Sequence, residues 1–156
     1  MPDIFLSLKL THLLAALITV GATIINGVIH AHARAATQVE AAAHLRVLTR
    51  INRIFMGPSL LIIPASGLWM MLLLSYDWWT GWIVVSIALW LALLLAFLIG
   101  DRIERQLHDT AVAATHKGVS VLSESYETTF KKDSPIGGAA FIMSITRLVL
   151  MVFKPF

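Results

Sequence analysis

The stretch WWTGWIVVSIALWLALLLAFLIG, residues 78–100, decides the fold class. It holds no charged residue and is long enough, at about 1.5 Å per residue, to cross a hydrocarbon layer of about 30 Å as one helix. Working outward, three more stretches read the same way: about residues 4–29, 54–74 and 137–153, the last being the shortest. The whole chain agrees with its parts. Of 156 residues, 58% are hydrophobic and 13% charged, with a mean hydropathy of +0.80. A soluble domain carries about 25% charged residues. The expectation is an all-α, four-helix transmembrane bundle occupying residues 1–156 as a single domain, its main partner the lipid bilayer. Met1-Pro2-Asp3 lacks the basic start of a secretory leader, so the first stretch is read as a span.

The loops orient the bundle. Arg34, Arg46, Arg50 and Arg53 sit in the first connection; Arg102, Arg105, Lys117, Lys131 and Lys132 sit in the third. The second, the tight turn Ser75-Tyr76-Asp77, has no base and leads into Trp78, Trp79 and Trp82, an interfacial aromatic belt. The positive-inside rule then puts the two longer connections in the cytoplasm and both termini outside. The alanine-rich first connection predicts that spans one and two run on as helices beyond the membrane. The third is expected to continue span three to near His108 and then form one more amphipathic piece. Pro135 and Pro155 are read as the start and stop signals of span four. Pro58 and Pro64 predict kinks in span two, with Gly57 and Gly67 permitting close helix approach.

Chemistry-bearing residues gather on span one. Lys9, His12, Thr19, Thr23, Asn26 and His30 fall within one arc of about 100° on a helical projection. Such a stripe faces the bundle interior, a cavity or a cofactor, because hydrocarbon penalises it. The threonines and asparagine have an ordinary use, bonding the preceding turn or a neighbouring helix. Span four adds Arg147 near mid-membrane, where an arginine costs about 2.5–3.5 kcal/mol or more. Spans one, two and four are expected to wall the pocket. No Asp or Glu lies between Asp3 and Asp77 within a span, and span four has none. Asp77 is the one acid within reach. Two bases without an acid call for an outside anion: a lipid phosphate, the propionates of a haem, or an anionic substrate. Carbonyls freed by the span-two prolines are the structural alternative.

Other classes are excluded or weak. There is no cysteine, which removes disulfides and thiolate metal sites. His30, His32, His44, His108 and His116 lack the spacing of a metal cage. No phosphate-cradling loop, hydrolase motif or nucleic-acid pattern is present.

Lys9-Leu10-Thr11-His12, Arg53-Ile54-Phe55-Met56-Gly57-Pro58, Gly67-Leu68-Trp69, Gly81-Trp82 and Met151-Val152-Phe153-Lys154-Pro155 together resemble a bacterial family of predicted integral membrane proteins, the domain of unknown function twenty-two sixty-nine. The opening and second span also resemble HemJ-type protoporphyrinogen oxidases, which are haem-associated, and CopD-type copper-resistance domains. The HemJ-type resemblance implies a functional histidine at His12. It also implies a histidine and a lysine early in span three, where this chain has Trp82-Ile83-Val84-Val85. The resemblance therefore extends to the fold and His12 and not to porphyrin oxidation. The resulting expectation is a haem-b-binding membrane protein with a redox or electron-transfer role, in a bacterial inner (cytoplasmic) membrane. His12 would be the haem-iron ligand, with Lys9 and Arg147 on the propionates, and Met70, Met71 or Met151 as candidates for a second ligand. The alternative is a non-catalytic accessory subunit or assembly factor bound to other membrane subunits. A third reading is small-ion or metal transport along the stripe.

Overall fold

The structure is a computed structural model that describes residues 2–116 and 124–153. Its elements are α1 (Pro2–Ala35), α2 (Gln38–Ile51), a π-helical turn (Asn52–Met56), α3 (Gly57–Leu74), α4 (Gly81–His116) and α5 (Glu124–Phe153). The turn joins α2 to α3 without a break, so the elements make four rods. Each is long and apolar enough to cross a membrane. Leucines half exposed along α1, such as Leu10 and Leu17, would be costly in water and are at home against hydrocarbon.

The rods outrun the expected spans. Helix α1 reaches Ala35 and α2 adds fourteen residues before α3, as the alanine-rich connection led one to expect. Helix α4 continues past His108 to His116. Beyond the membrane-length segments, Ala33, Ala41, Leu45, Leu107 and Ala111 form a small core with Phe130 packed on it. Alanines there let four helices meet closely. The expected separate amphipathic piece is instead the extension of α4 and the first turns of α5; residues 117–123 lie outside the described residues. Pro135 does not start span four. It lies inside α5, whose helix begins at Glu124, and neighbouring helices make such an interior proline tolerable. Pro155 lies outside the described residues.

Each junction has a local cause. Thr37 caps α2 in a capping box: its backbone N–H and hydroxyl donate to Glu40 Oε2 at 3.0 and 2.8 Å, which satisfies a free helix-end donor. Those bonds, the backbone one first, hold the Glu40 carboxyl below its ordinary range. At the π turn, the Gly57 N–H bonds to Asn52 O, five residues back. Pro58 follows without an N–H, so the widened turn absorbs the break in the ladder. The close approach expected of the two glycines is present. A Cβ on Gly67 would stand 3.1 Å from the His12 ring, and one on Gly57 would stand 3.7 Å from Phe97.

Helix α3 ends on Ser75 in the left-handed region, φ 51°. The Ser75 and Tyr76 N–H groups return to Leu72 O and Met71 O, the two bonds of a Schellman ending. Asp77 then accepts the Trp79 N–H on its side chain, and its carbonyl takes the Thr80 N–H and hydroxyl. Helix α4 therefore begins at Gly81, leaving Trp78 and Trp79 in the turn.

Candidate functional site

Four of the stripe residues are buried: His12, Thr19, Thr23 and Asn26. Thr19 and Thr23 hydroxyls donate to Ala15 O and Thr19 O, one turn back, which is the ordinary use of threonine in a membrane helix. His12 is different, because both ring nitrogens leave the helix. Nδ1 lies 2.9 Å from Ser66 Oγ on α3, and Nε2 lies 3.4 Å from Met151 Sδ on α5. Three rods converge on one imidazole.

Two tautomers fit these contacts. With the Ser66 proton on Ile62 O, at 2.6 Å, His12 Nδ1–H donates to Ser66 and Nε2 keeps its lone pair; with the Ser66 proton on Nδ1, Nε2–H donates to the Met151 thioether, which only accepts.

The wall on this side encloses a cavity of about 710 Å3, at the end of the bundle marked by the tryptophan turn. Its volume lies within the roughly 300–1,000 Å3 of small-molecule sites. His12, Lys9 and Arg147 all line it, so the two bases and the imidazole singled out from sequence are brought to one space. They are not equally deep: Lys9 is exposed at the rim, whereas His12 and Arg147 are 7% and 8% exposed. Most of the remaining lining is apolar, including Ile63, Leu68, Ile87 and three methionines, Met70, Met71 and Met151. The fourth wall is α4, through Trp82, Ser86 and Trp90. The expectation of walls from spans one, two and four is thus corrected: span three closes the pocket as well.

Neither neutraliser suggested for Arg147 is used. Asp77 is occupied in the turn. Pro64 lacks the N–H that would pair with Leu60 O, and that carbonyl is taken by Trp90 Nε1 at 2.9 Å. Arg147 Nε is buried without a hydrogen-bond partner, and among the described residues no carboxylate pairs with Arg147 or Lys9.

Among the described residues the histidines at the base-rich end do not gather into a metal site, and no three His, Cys, Asp or Glu side chains come together as one, although the His32 and His44 rings lie 6.3 Å apart. His32 bonds its own helix at Val28 O, His108 contacts Asp109, and the His116 side chain lies outside what is described. His30 Nε2 instead meets Glu104 Oε1 at 3.3 Å. Glu104 is buried, joined to Asn52 and through it to Asn26. Asn52 and Glu104 lie in the helical extensions of the spans, outside the polar stripe of span one and the intramembrane bases, which left this cluster unforeseen. The signal was there: Leu93, Phe97, Gly100, Glu104, Leu107 and Ala111 repeat at alternating spacings of four and three, so one inward face of α4 runs past the membrane edge.

A family model described as "Predicted integral membrane protein (DUF2269)" matches residues 6–155 of the chain. No curated protein and no solved structure matches it.

Proposed function

The chain belongs to that family of predicted integral membrane proteins, and from this premise we propose that its tryptophan-end cavity binds one haem b, in a small electron-transfer component of the membrane. The observation that carries the reading is the His12 imidazole. It lines the cavity and is held through Nδ1 by Ser66, and in the Nδ1–H tautomer its Nε2 has a lone pair to give a metal. Metal-bound histidines are held in this way, with the second nitrogen fixed by a hydrogen bond, and imidazole is a common haem ligand.

Two further features support it. Lys9 and Arg147 bring two positive charges to a mostly apolar cavity with no carboxylate to offset them, which suits a ligand with an apolar body and two carboxylates. The apolar walls also exclude water, which is the chain's means of tuning a redox centre. Bound haem would supply one-electron chemistry at its iron. Met151 has to turn aside before anything is bound at Nε2, and a thioether chain does so readily. It then becomes, with Met70 and Met71, a candidate for the second ligand. Porphyrin oxidation is not part of the proposal, because Trp82-Ile83-Val84-Val85 supplies neither histidine nor lysine. The proposed setting is a bacterial cytoplasmic membrane, base-rich end inward.

The test is an absorption spectrum of the full chain purified from haem-sufficient cells. The expected result is a Soret band at about one haem per chain in the wild type and its loss in His12→Ala. A colourless wild-type protein, or an unchanged band in His12→Ala, overturns the reading.

A further inference from the structure

A second cavity, of about 440 Å3, lies at the base-rich end between α1, the π turn, α4 and α5. Gly27, Gly137 and Gly138 line it, and a Cβ built on any of the three meets nothing within 4 Å. In membrane bundles small residues commonly bring helices into contact. These three are exposed and leave the mouth of the cavity open instead.

The wall beside that opening is a hydrogen-bond chain with a fixed direction. The Glu104 carboxylate only accepts. Asn52 therefore turns its Nδ2 to Glu104 Oε2, which leaves Asn52 Oδ1 to accept from Asn26 Nδ2 at 2.6 Å. The chain ends on Asn26 Oδ1, a buried acceptor with no hydrogen-bond partner among the described residues. All three residues are more than nine-tenths buried. Thr23, also on the lining, has spent its proton on Thr19 O. Glu104, Asn26 Oδ1 and Thr23 thus leave acceptors on this wall, beside the second N–H of each asparagine amide, an arrangement that can take a donor.

The charges around it point to a cation. His30 Nε2 lies 3.3 Å from Glu104 Oε1, which leaves Oε2 to Asn52. Arg34 lies at the lining but is engaged by Glu127 at 3.4 Å and by the face of Phe130. Asp101 is paired with Arg105 at 2.7 Å. Phe97 and Phe130 add rings to the lining, and aromatic faces attract ammonium groups.

We propose that this cavity binds a small organic ammonium ion, its N–H donors meeting the Glu104–Asn52–Asn26 wall and its carbon skeleton filling the glycine-lined space. A bare metal ion fits less well, since no cage of ligands converges here among the described residues and the glycine-lined space would go unused.

The test uses the full chain in nanodiscs at pH 8 and constant ionic strength, titrated calorimetrically with n-butylammonium chloride and, in parallel, sodium chloride. Expected is saturable binding of butylammonium and none of sodium. Glu104→Gln should weaken it about tenfold or more, the usual loss for one charge-assisted hydrogen bond. Gly137→Leu, which fills the space and leaves the wall intact, should abolish it. His12→Ala should bind butylammonium as the wild type does, which keeps this outcome separate from the haem reading. No saturable signal with butylammonium, an equal one with sodium, or unchanged affinity in Gly137→Leu overturns the proposal.

Discussion

Ser66 Oγ stands 2.9 Å from His12 Nδ1, a bond that ties α1 to α3 beside the cavity that His12 lines. With its own proton on Ile62 O, Ser66 accepts the Nδ1–H and leaves Nε2 its lone pair. Ser66→Ala should therefore leave the ligand nitrogen in place but free the ring to turn and change tautomer. Loss of such a supporting bond lowers metal affinity by about 10–100-fold. Haem titration of the variant checks this, and an affinity equal to that of the wild type contradicts it.

Among the described residues, Arg147 is buried with Nε unpartnered and no carboxylate paired with it, an arrangement costly to the protein without a ligand. Arg147→Met, similar in reach and uncharged, should stabilise the ligand-free protein by up to about 2.5–3.5 kcal/mol, the insertion cost of one central arginine. The same variant should bind haem more weakly. Thermal unfolding and haem titration on one sample check the opposite signs; a variant destabilised without ligand contradicts the account.

Trp90 and Pro64 are coupled through one carbonyl. Pro64 frees Leu60 O, and Trp90 Nε1 takes it at 2.9 Å. Trp90→Phe should cost about 1–3 kcal/mol by stranding that acceptor. Pro64→Ala restores a backbone N–H, so in that background Trp90→Phe should cost clearly less. A double-mutant cycle on unfolding free energy measures the difference, and strict additivity contradicts it.

Glu40 gives the pH dependence outside the membrane. Its carboxyl is held below the ordinary range by the Thr37 backbone N–H and then by the Thr37 hydroxyl. A carboxyl with a depressed folded-state pKa stabilises the cap above its unfolded value and loses that contribution as pH falls through the folded one. The Thr37 amide resonance should therefore titrate with a midpoint below that of a free glutamate, and Glu40→Ala should abolish the transition. A midpoint at the free-glutamate value contradicts the capping bond.

The four membrane rods were legible because apolar runs such as residues 78–100 have one physical use. His12, Lys9 and Arg147 were legible as a group because ionisable residues in hydrocarbon are costly and have few alternatives. What stayed hidden depended on contacts between helices. Ser66 is an ordinary serine until His12 lies across Gly67. Trp90 looks like lipid-facing bulk until Pro64 is seen to free a carbonyl in front of it. Pro135 reads as a start signal because a proline is favoured there locally, yet α5 runs through it. Glu104 and Asn52 fall in the expected helical extensions, but charge and polarity end a hydropathy run there, so the inward face that carries on at spacings of four and three was not followed to them.

The central claim is that His12 Nε2 is a haem ligand in the tryptophan-end cavity. Titrating haemin into the ligand-free full chain in nanodiscs tests it most directly, because Trp78, Trp82 and Trp90 line the same space and their fluorescence reports occupancy beside the Soret absorbance. The account predicts a sharp break at one equivalent in both signals for the wild type and none for His12→Ala. A gradual, unsaturated response in the wild type, or the same break in His12→Ala, contradicts it.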